Sequence, residues 1–355
     1  MAGFTGREGN FAFAKFGANS WGVAASVTKG AYFASDGGAT YQPQRVNDDA
    51  FGQAYLGAGD FGNVTAPDLT LMQRARYDDW AYILEAVAMG SPAAVTISTS
   101  LSGSVTSWLH IIDLAPSIDG LGITAAIDKV LFVDELTSAK VYGFSFGLGD
   151  SGVFDESFKV LGTQMTNISS INTRSTVNGA TYKALDNRVF EKQVVWRLNA
   201  FTAGSLVAAD AQSLETVEWS FERPQDAPFV TGQDYIFEPG DNGHPMVKIN
   251  VTYPRMSTIS ANSMYQSLRG DTKLKADLTA SGALINSTDR YSMRYQFPYL
   301  ELDEWTATVT GPNQVKPTAV FTAKNTNSAP TGMSGVTRPF RLTRIMTNSV
   351  TAFSA

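Results

Sequence analysis

The chain contains no cysteine and only two histidines, His110 and His244. Disulfide frameworks, thiol nucleophiles, Cys-rich zinc sites and clusters of imidazole ligands are thereby excluded. Charged residues are scarce too, at 17% of 355 residues against a usual share of about a quarter. Ser, Thr, Asn, Gln and Gly must then carry much of the polar surface, a poor composition for long solvated helices. No apolar run approaches the ~18 residues of a membrane-spanning helix, and the opening Met-Ala-Gly-Phe-Thr-Gly-Arg-Glu lacks the basic flank and apolar core of a secretory signal. The expectation is a soluble chain made in the cytoplasm, with no membrane insertion.

What charge there is lies unevenly. Residues 1–190 hold 12 Lys and Arg against 18 Asp and Glu, whereas residues 191–355 hold 15 of each, so the net charge of −6 belongs to the first half. After Glu304 no acidic residue follows, and Lys316, Lys324, Arg338, Arg341 and Arg344 make the end of the chain purely basic. An acidic body with a basic tail can bind its own copies.

Two blocks recur in order. Gly52-Gln53-Ala54-Tyr55-Leu56 returns as Gly232-Gln233-Asp234-Tyr235-Ile236, offset by 180, and each is followed by a Gly-Asp turn at Gly59-Asp60 or Gly240-Asp241. Val133-Asp134-Glu135-Leu136-Thr137 matches Leu302-Asp303-Glu304-Trp305-Thr306 at an offset of 168 to 169. The shorter second offset places an insertion in the first copy, most readily in the Ser-rich stretch 91–107.

Strand patterning is plain in the second copy. Val217, Trp219 and Phe221 alternate with Glu218, Ser220 and Glu222; Val247, Ile249, Val251 and Tyr253 do so with Lys248, Asn250 and Thr252; and Tyr291, Met293, Tyr295 and Phe297 do so with Ser292, Arg294 and Gln296. A period of two puts each apolar set on one face of an antiparallel sheet. Helices are few. Trp80, Ile83, Leu84 and Val87 form one helical stripe, with Asp78 or Asp79 to cap it and Gly90 to end it; Met264, Tyr265 and Leu268 repeat the pattern before Gly270. The fold class is therefore mainly β: two tandem, similar antiparallel β-barrel or sandwich domains, each with one flanking short α-helix. The expected division is an N-terminal arm (1–45), a first domain (46–163), a linker (164–190), a second domain (191–326) and a C-terminal basic arm (327–355).

No catalytic constellation stands out. Asp134-Glu135 and Asp303-Glu304 are neighbours on strands, so each pair points to opposite faces and cannot converge on one atom. Asp78-Asp79 fits a helix start without catalysis. Asp36-Gly37-Gly38 and Gly240-Asp241-Asn242-Gly243 read as hairpin turns before they read as calcium loops. His110 reads as a satisfied, half-buried histidine and His244 as a turn residue. No Gly-x-Ser-x-Gly elbow stands between a strand and a helix, and Gly120-Leu121-Gly122 opens no phosphate-binding pattern. No enzyme activity, cofactor or metal is expected, and an acidic first half disfavours tight DNA binding.

Asn19-Ser20-Trp21-Gly22-Val23 entering the arm, Ala66-Pro67-Asp68-Leu69-Thr70 before the first helix, the helix ends at Gly90 and Gly270 and the strand pair from Pro298 to Ala323 together resemble the tail tube proteins of long-tailed, non-contractile bacteriophages, in the branch with a duplicated tube domain. The resemblance implies the phage tail tube fold and a structural virion protein. Its homo-oligomeric rings, trimers with pseudo-sixfold symmetry, would stack helically and bind other tail proteins, and double-stranded DNA would pass through the lumen without tight binding. It also implies assembly in the host cytoplasm and residence in the virion tail. On that basis ring-to-ring contacts are expected at about 36–62, with Asp48, Asp49 and Asp60, and at about 221–243, with Asp241, while Arg338, Arg341 and Arg344 dock on an acidic neighbour. The alternative is a duplicated β-sandwich module for carbohydrate binding or virion decoration, presenting Trp196, Trp219 and Trp305.

Overall fold

The computed structural model describes residues 10–16, 21–33, 43–46, 60–64, 68–90, 95–99, 106–149, 152–229, 231–232, 235–256, 270, 272–308 and 315–348. In chain order the elements are β1 (Phe11–Phe16), β2 (Lys29–Ala31), β3 (Pro43–Val46), β4 (Asp60–Val64), β5 (Asp68–Arg74), α1 (Ala81–Met89), β6 (Val95–Thr99), β7 (Trp108–Asp113), β8 (Gly122–Asp128), β9 (Val133–Leu148), β10 (Phe154–Gly162), β11 (Met165–Thr166), α2 (Arg174–Asn178) and β12 (Thr181–Tyr182). There follow β13 (Val194–Ala200), β14 (Ala211–Gln212), β15 (Thr216–Glu222), β16 (Gln225–Asp226), β17 (Gly240–Asp241), β18 (Met246–Thr252), β19 (Leu274–Leu284), β20 (Arg290–Thr306), β21 (Thr318–Ala323) and β22 (Arg341–Met346). The chain is mainly β, as its composition required.

One order of strands appears twice. In the first half β1, β8, β9, β10 and β5 lie side by side, and in the second β13, β19, β20, β21 and β18 do, every pair antiparallel. Each outer strand carries a short antiparallel companion, β2 on β1 and β14 on β13. Small separate hairpins, β3 with β4 and β16 with β17, precede β5 and β18 respectively. The β6–β7 hairpin interrupts the first half where the Ser-rich insertion was expected, and no described strand corresponds to it between β18 and β19.

The two halves share one layer. Its strands run β5-β10-β9-β15-β18-β21-β20, the crossing between halves being the pairing of β15 with β9, Phe221 opposite Phe144 and Trp219 opposite Phe146. Burial alternates along β5, β10, β15 and β18, so Leu71, Phe158, Phe144, Phe221, Ile249 and Phe321 point to a common core and the intervening residues point away. A second layer covers that core, with β6-β7-β22-β20-β19-β13 in one run. Trp219 from the shared layer meets Tyr295 at 4.6 Å, Phe144 at 5.2 Å and Phe340 at 5.3 Å between ring centres. Long β20 belongs to both layers: Ser292–Gln296 pair with β22, and Leu300–Thr306 pair with β21 beyond.

Several expectations change. Helix α1 forms where predicted and Gly90, at φ +83°, donates its N–H to Ala86 and closes it. All nine residues of α1 are buried, however, including Glu85, so it is a core helix rather than a surface helix with a single stripe. The corresponding segment of the second half lies outside the described residues, apart from Gly270. Phe11–Phe16 of the N-terminal arm is a strand between β2 and β8, with Phe13 fully buried, because Phe11 and Phe13 share an inward face. Within the expected linker, α2 is capped by Thr173, whose side chain accepts from the Thr176 N–H, and β12 adds in parallel to β2. The second sequence block does not mark equivalent places, since Asp134 begins β9 and pairs toward β8, whereas Asp303 sits at an irregularity near the end of β20. Its match reflects alternating strand composition, which many strands share.

Candidate assembly site

The shared layer ends in two open borders. Among the described residues, nothing pairs with β5 on the side away from β10, or with Glu301–Thr306 on the side away from β21. These are the two ends of the shared layer, and each presents backbone N–H and C=O groups with no ladder partner in the chain. Inside the molecule the same kind of border, the Gly143–Gly147 part of β9, is completed by β15. A close approach there depends on Gly143, where a Cβ would stand 2.8 Å from the Phe221 carbonyl oxygen.

Of the residues expected to make subunit contacts, Asp48 and Asp49 lie outside the described residues. Asp60 opens β4, for which the backbone alone is described. Asp241 is engaged within the chain: its Oδ2 accepts from Arg223 at 3.0 Å and its Oδ1 from Gln225 at 2.7 Å. The fully buried Arg223 also donates to the carbonyls of Ala115 (2.8 Å) and Pro116 (2.9 Å), which locks the loop after β15 onto the end of the β6–β7 segment. Asp241 is thus tied into the chain's own hydrogen bonding. Among the described residues no group of three acidic or histidine side chains is placed to hold a metal ion.

The C-terminal residues require a correction. Arg338 is exposed, but Arg341 makes a two-pronged contact with Asp113 of β7, Nε to Oδ1 at 2.6 Å and Nη2 to Oδ2 at 2.8 Å. Arg344 is wholly buried. Its Nη2 donates to Glu85 Oε1 at 2.7 Å and to Glu156 Oε1 at 2.8 Å, its Nη1 donates to the Arg76 carbonyl at 3.2 Å, and Asp79 lies 3.6 Å away. The acidic partner of this segment is the chain itself. Strand β22 is inserted between β20 of the second half and β7 of the first, so the wholly buried Arg344 cannot reach a neighbour, and Arg341 is spent on Asp113.

Three carboxyls therefore face one guanidinium in a buried site. Gln73 donates to Asp79 (2.8 Å) and to Glu156 (3.0 Å), and Tyr295 donates to Glu85 (3.1 Å). Burial, together with the neighbouring Glu156 carboxyl, pushes Asp79 up to about 7; burial likewise pushes Glu156 up to about 7, partly opposed by Arg344 and reinforced by Glu85. Glu85 is raised by the same loss of water. Arg344 is held charged by the surrounding carboxyls in spite of its burial. Raised carboxyl pKa values mean that the folded chain binds protons more tightly than the unfolded one, whose Asp and Glu titrate near 4. This contribution to stability is full below about pH 4 and is lost as pH rises through about 7. Denaturant midpoints measured from pH 8 to pH 5 are expected to rise, and Glu156→Gln is expected to flatten that rise; an unchanged profile in the variant would show that Glu156 is already ionised.

None of Glu85, Glu156 and Arg344 was singled out as a cluster from the sequence. A signal existed: each is a charged residue on an inward phase, Glu156 between Phe154 and Phe158, Arg344 between Leu342 and Met346, and Glu85 inside an otherwise apolar helix. Other candidates resolve into packing. His110 is fully buried, its Nε2 2.8 Å from the Asn348 carbonyl and its ring edge-on to Tyr82. Asp134 pairs with Lys129 at 2.9 Å, and Glu135 accepts from Ser169 and Asn172, both at 2.6 Å. No protein-family model matches the chain, and no curated protein matches it in sequence.

Proposed function

We propose that this chain is a ring-forming structural subunit of the tail tube type, polymerising with its own copies into a conduit for double-stranded DNA. The supporting observation is the shared layer. It carries the strand run β15-β18-β21-β20 in the second half and β5-β10-β9 in the first, joins the halves edge to edge, and ends at two unpaired borders. A head-to-tail contact between such borders is heterologous, and it closes into a ring when the rotation per subunit divides a full turn. Two repeated units per chain make three chains a pseudo-sixfold ring, and stacked rings would form the tube of a virion tail.

Trp196 and Trp219 are buried in the core, and Trp305 packs edge-on against Tyr253 at 5.6 Å. Of the three tryptophans of the carbohydrate-binding alternative, only half-buried Trp305 keeps part of its surface open for stacking. Electron microscopy of the purified protein over a range of concentrations is expected to show rings or filaments. Compact monomers at every concentration, by microscopy and by light scattering, would overturn the proposal.

A further inference from the structure

We infer that successive rings lock through a tip and a groove on the same chain: the β8–β9 turn of one copy, carrying Leu131 and Phe132, seats in the groove that β13, β14 and the start of β15 frame on the next. The inference rests on the ring-forming reading above and adds a contact separate from the two strand borders. The tip is held away from the fold. Leu131 is 71% exposed and Phe132 43%, although both are large and apolar. Just before them stands Val130, a β-branched residue at φ +72°, over which the Leu131 N–H reaches the Lys129 carbonyl at 2.8 Å. A γ-turn of that hand is rare and strained, and such strain persists only where the surroundings enforce it. Asp128 and Arg174 enforce it here. Asp128 accepts from the Val130 N–H at 2.7 Å and from Arg174 Nε at 3.1 Å, while Arg174 Nη1 donates to the Val130 carbonyl at 2.9 Å. Helix α2 thereby fixes two apolar side chains in water. Ile168, 86% exposed, adds a third beside Asp134.

The groove is a cavity of about 530 Å³ whose apolar walls are Leu148, Phe154, Val194, Trp196, Leu214 and Val217. Two of its polar atoms are unfinished. Among the described residues, neither the buried Trp196 Nε1–H nor the buried Oε2 of Glu215 has a hydrogen-bond partner. The tip supplies what each lacks: backbone carbonyls for the indole, and for the carboxylate the guanidinium of Arg174, half of whose side chain is exposed. The other charges are balanced, with Lys316 on Glu215 Oε1 at 2.5 Å, Glu191 next to Lys192 on the rim, and Lys129 on Asp134 at 2.9 Å beside the tip.

The repeat shows that tip and groove each occur once. In the first half the free side of β2 is taken by β12, and Tyr182 sits where a Cβ on Gly30 would stand. Strand β14, the companion in the second half, has no such cover among the described residues. Conversely, the β19–β20 turn has exposed Leu284 at its base but ends in the polar Ser287 and Thr288. The tip therefore belongs to the first half and the groove to the second. They lie at opposite ends of β9, near Val133 and Leu148. A contact between them carries the next copy along that strand and not beside it, so repetition builds a stack without closure. The first half of each chain then stands on the second half of a chain in the next ring. A tip of two large side chains buries less than the ~1,000 Å² that a lasting contact needs, so it does not pair dispersed chains, whereas three tips in a ring act together.

Because the chain has no cysteine, introduced cysteines report the contact cleanly. The double variant Leu131→Cys, Leu214→Cys and each single variant are oxidised with copper phenanthroline, as dispersed subunits and as assembled tubes, and run on a non-reducing gel. Tubes of the double variant are expected to give a ladder of linked chains, and the dispersed double variant and both single variants to stay monomeric. Tubes of the double variant that stay monomeric overturn the tip-in-groove contact alone, whereas a wild-type chain that forms neither rings nor tubes overturns the ring-forming reading beneath it. A second arm images Leu131→Asp, Phe132→Asp by electron microscopy, its folding checked by near-ultraviolet dichroism. Both side chains point to solvent, so the folded variant is expected to form rings that no longer stack. Stacking as in wild type overturns the contact, and so does the loss of rings together with stacks, which would place the tip at the ring contact instead. Should this variant fail to fold, the disulfide ladder decides by itself.

Discussion

Replacing Arg344 by alanine is expected to destabilise the chain by about 3–5 kcal/mol, the usual cost of removing one partner from a buried ion pair. Among the described residues the guanidinium is the only cation in contact distance of both Glu85 and Glu156, and both carboxyls are buried. Without it they must ionise unpaired or take up protons, and at neutral pH either course is costly. A loss of that size is a large share of the roughly 5–15 kcal/mol that holds a domain together. The measurement is the guanidinium chloride midpoint of Arg344→Ala against wild type at pH 8 and at pH 5. The deficit should shrink at pH 5, where the abandoned carboxyls are protonated. It should also shrink when Glu85→Gln and Glu156→Gln are added, because replacing a whole buried charge set costs less than breaking it. A deficit under about 1 kcal/mol at pH 8 would mean that the site is wet, since solvated pairs are worth no more than that.

Deleting residues 327–355 is expected to prevent folding of both halves, not merely to weaken assembly. The deletion removes β22, which forms ladders with β20 and β7 at once, and takes Phe340, Leu342 and Met346 out of the core. Burying one large apolar side chain is worth about 1.5–3 kcal/mol, so these three and the Arg344 cluster together rival the whole stability of a domain. The truncated chain should show no cooperative thermal transition and should collect in the insoluble fraction. A soluble product with wild-type near-ultraviolet dichroism would instead mean that the tail is the detachable arm its composition suggests.

That tail shows where sequence reasoning stops. A basic end with no acidic residue after Glu304 reads as a solvated arm because composition reports charge and not partners. The partners Asp113, Glu85 and Glu156 lie in the other half of the chain, and only tertiary pairing brings them near. Alternation fared better. The inward sets Val217, Trp219 and Phe221 and Val247, Ile249 and Val251 are buried as their period required, because a half-covered sheet enforces that period along each strand. Gly90 ends α1 for an equally local reason. The N-terminal Phe11-Ala12-Phe13 segment carried the same alternation, but its Gly- and Ala-rich surroundings hid it. The repeat was legible in kind but not in register, because strand order is set by pairing across the sheet while the Asp-Glu blocks match only in composition.

Arg341 and its partner Asp113 stand 228 residues apart along the chain, in strands that must lie side by side before either border of β22 is satisfied. Closing so long a loop is entropically slow, and such pairings lengthen the folding time of β proteins by orders of magnitude. Until it happens, β7 and β20 keep raw edges in addition to the two ends of the shared layer. The chain therefore passes through a period with additional exposed strand edges, and the concentration of newly made chains during that period governs how much of it folds and how much aggregates.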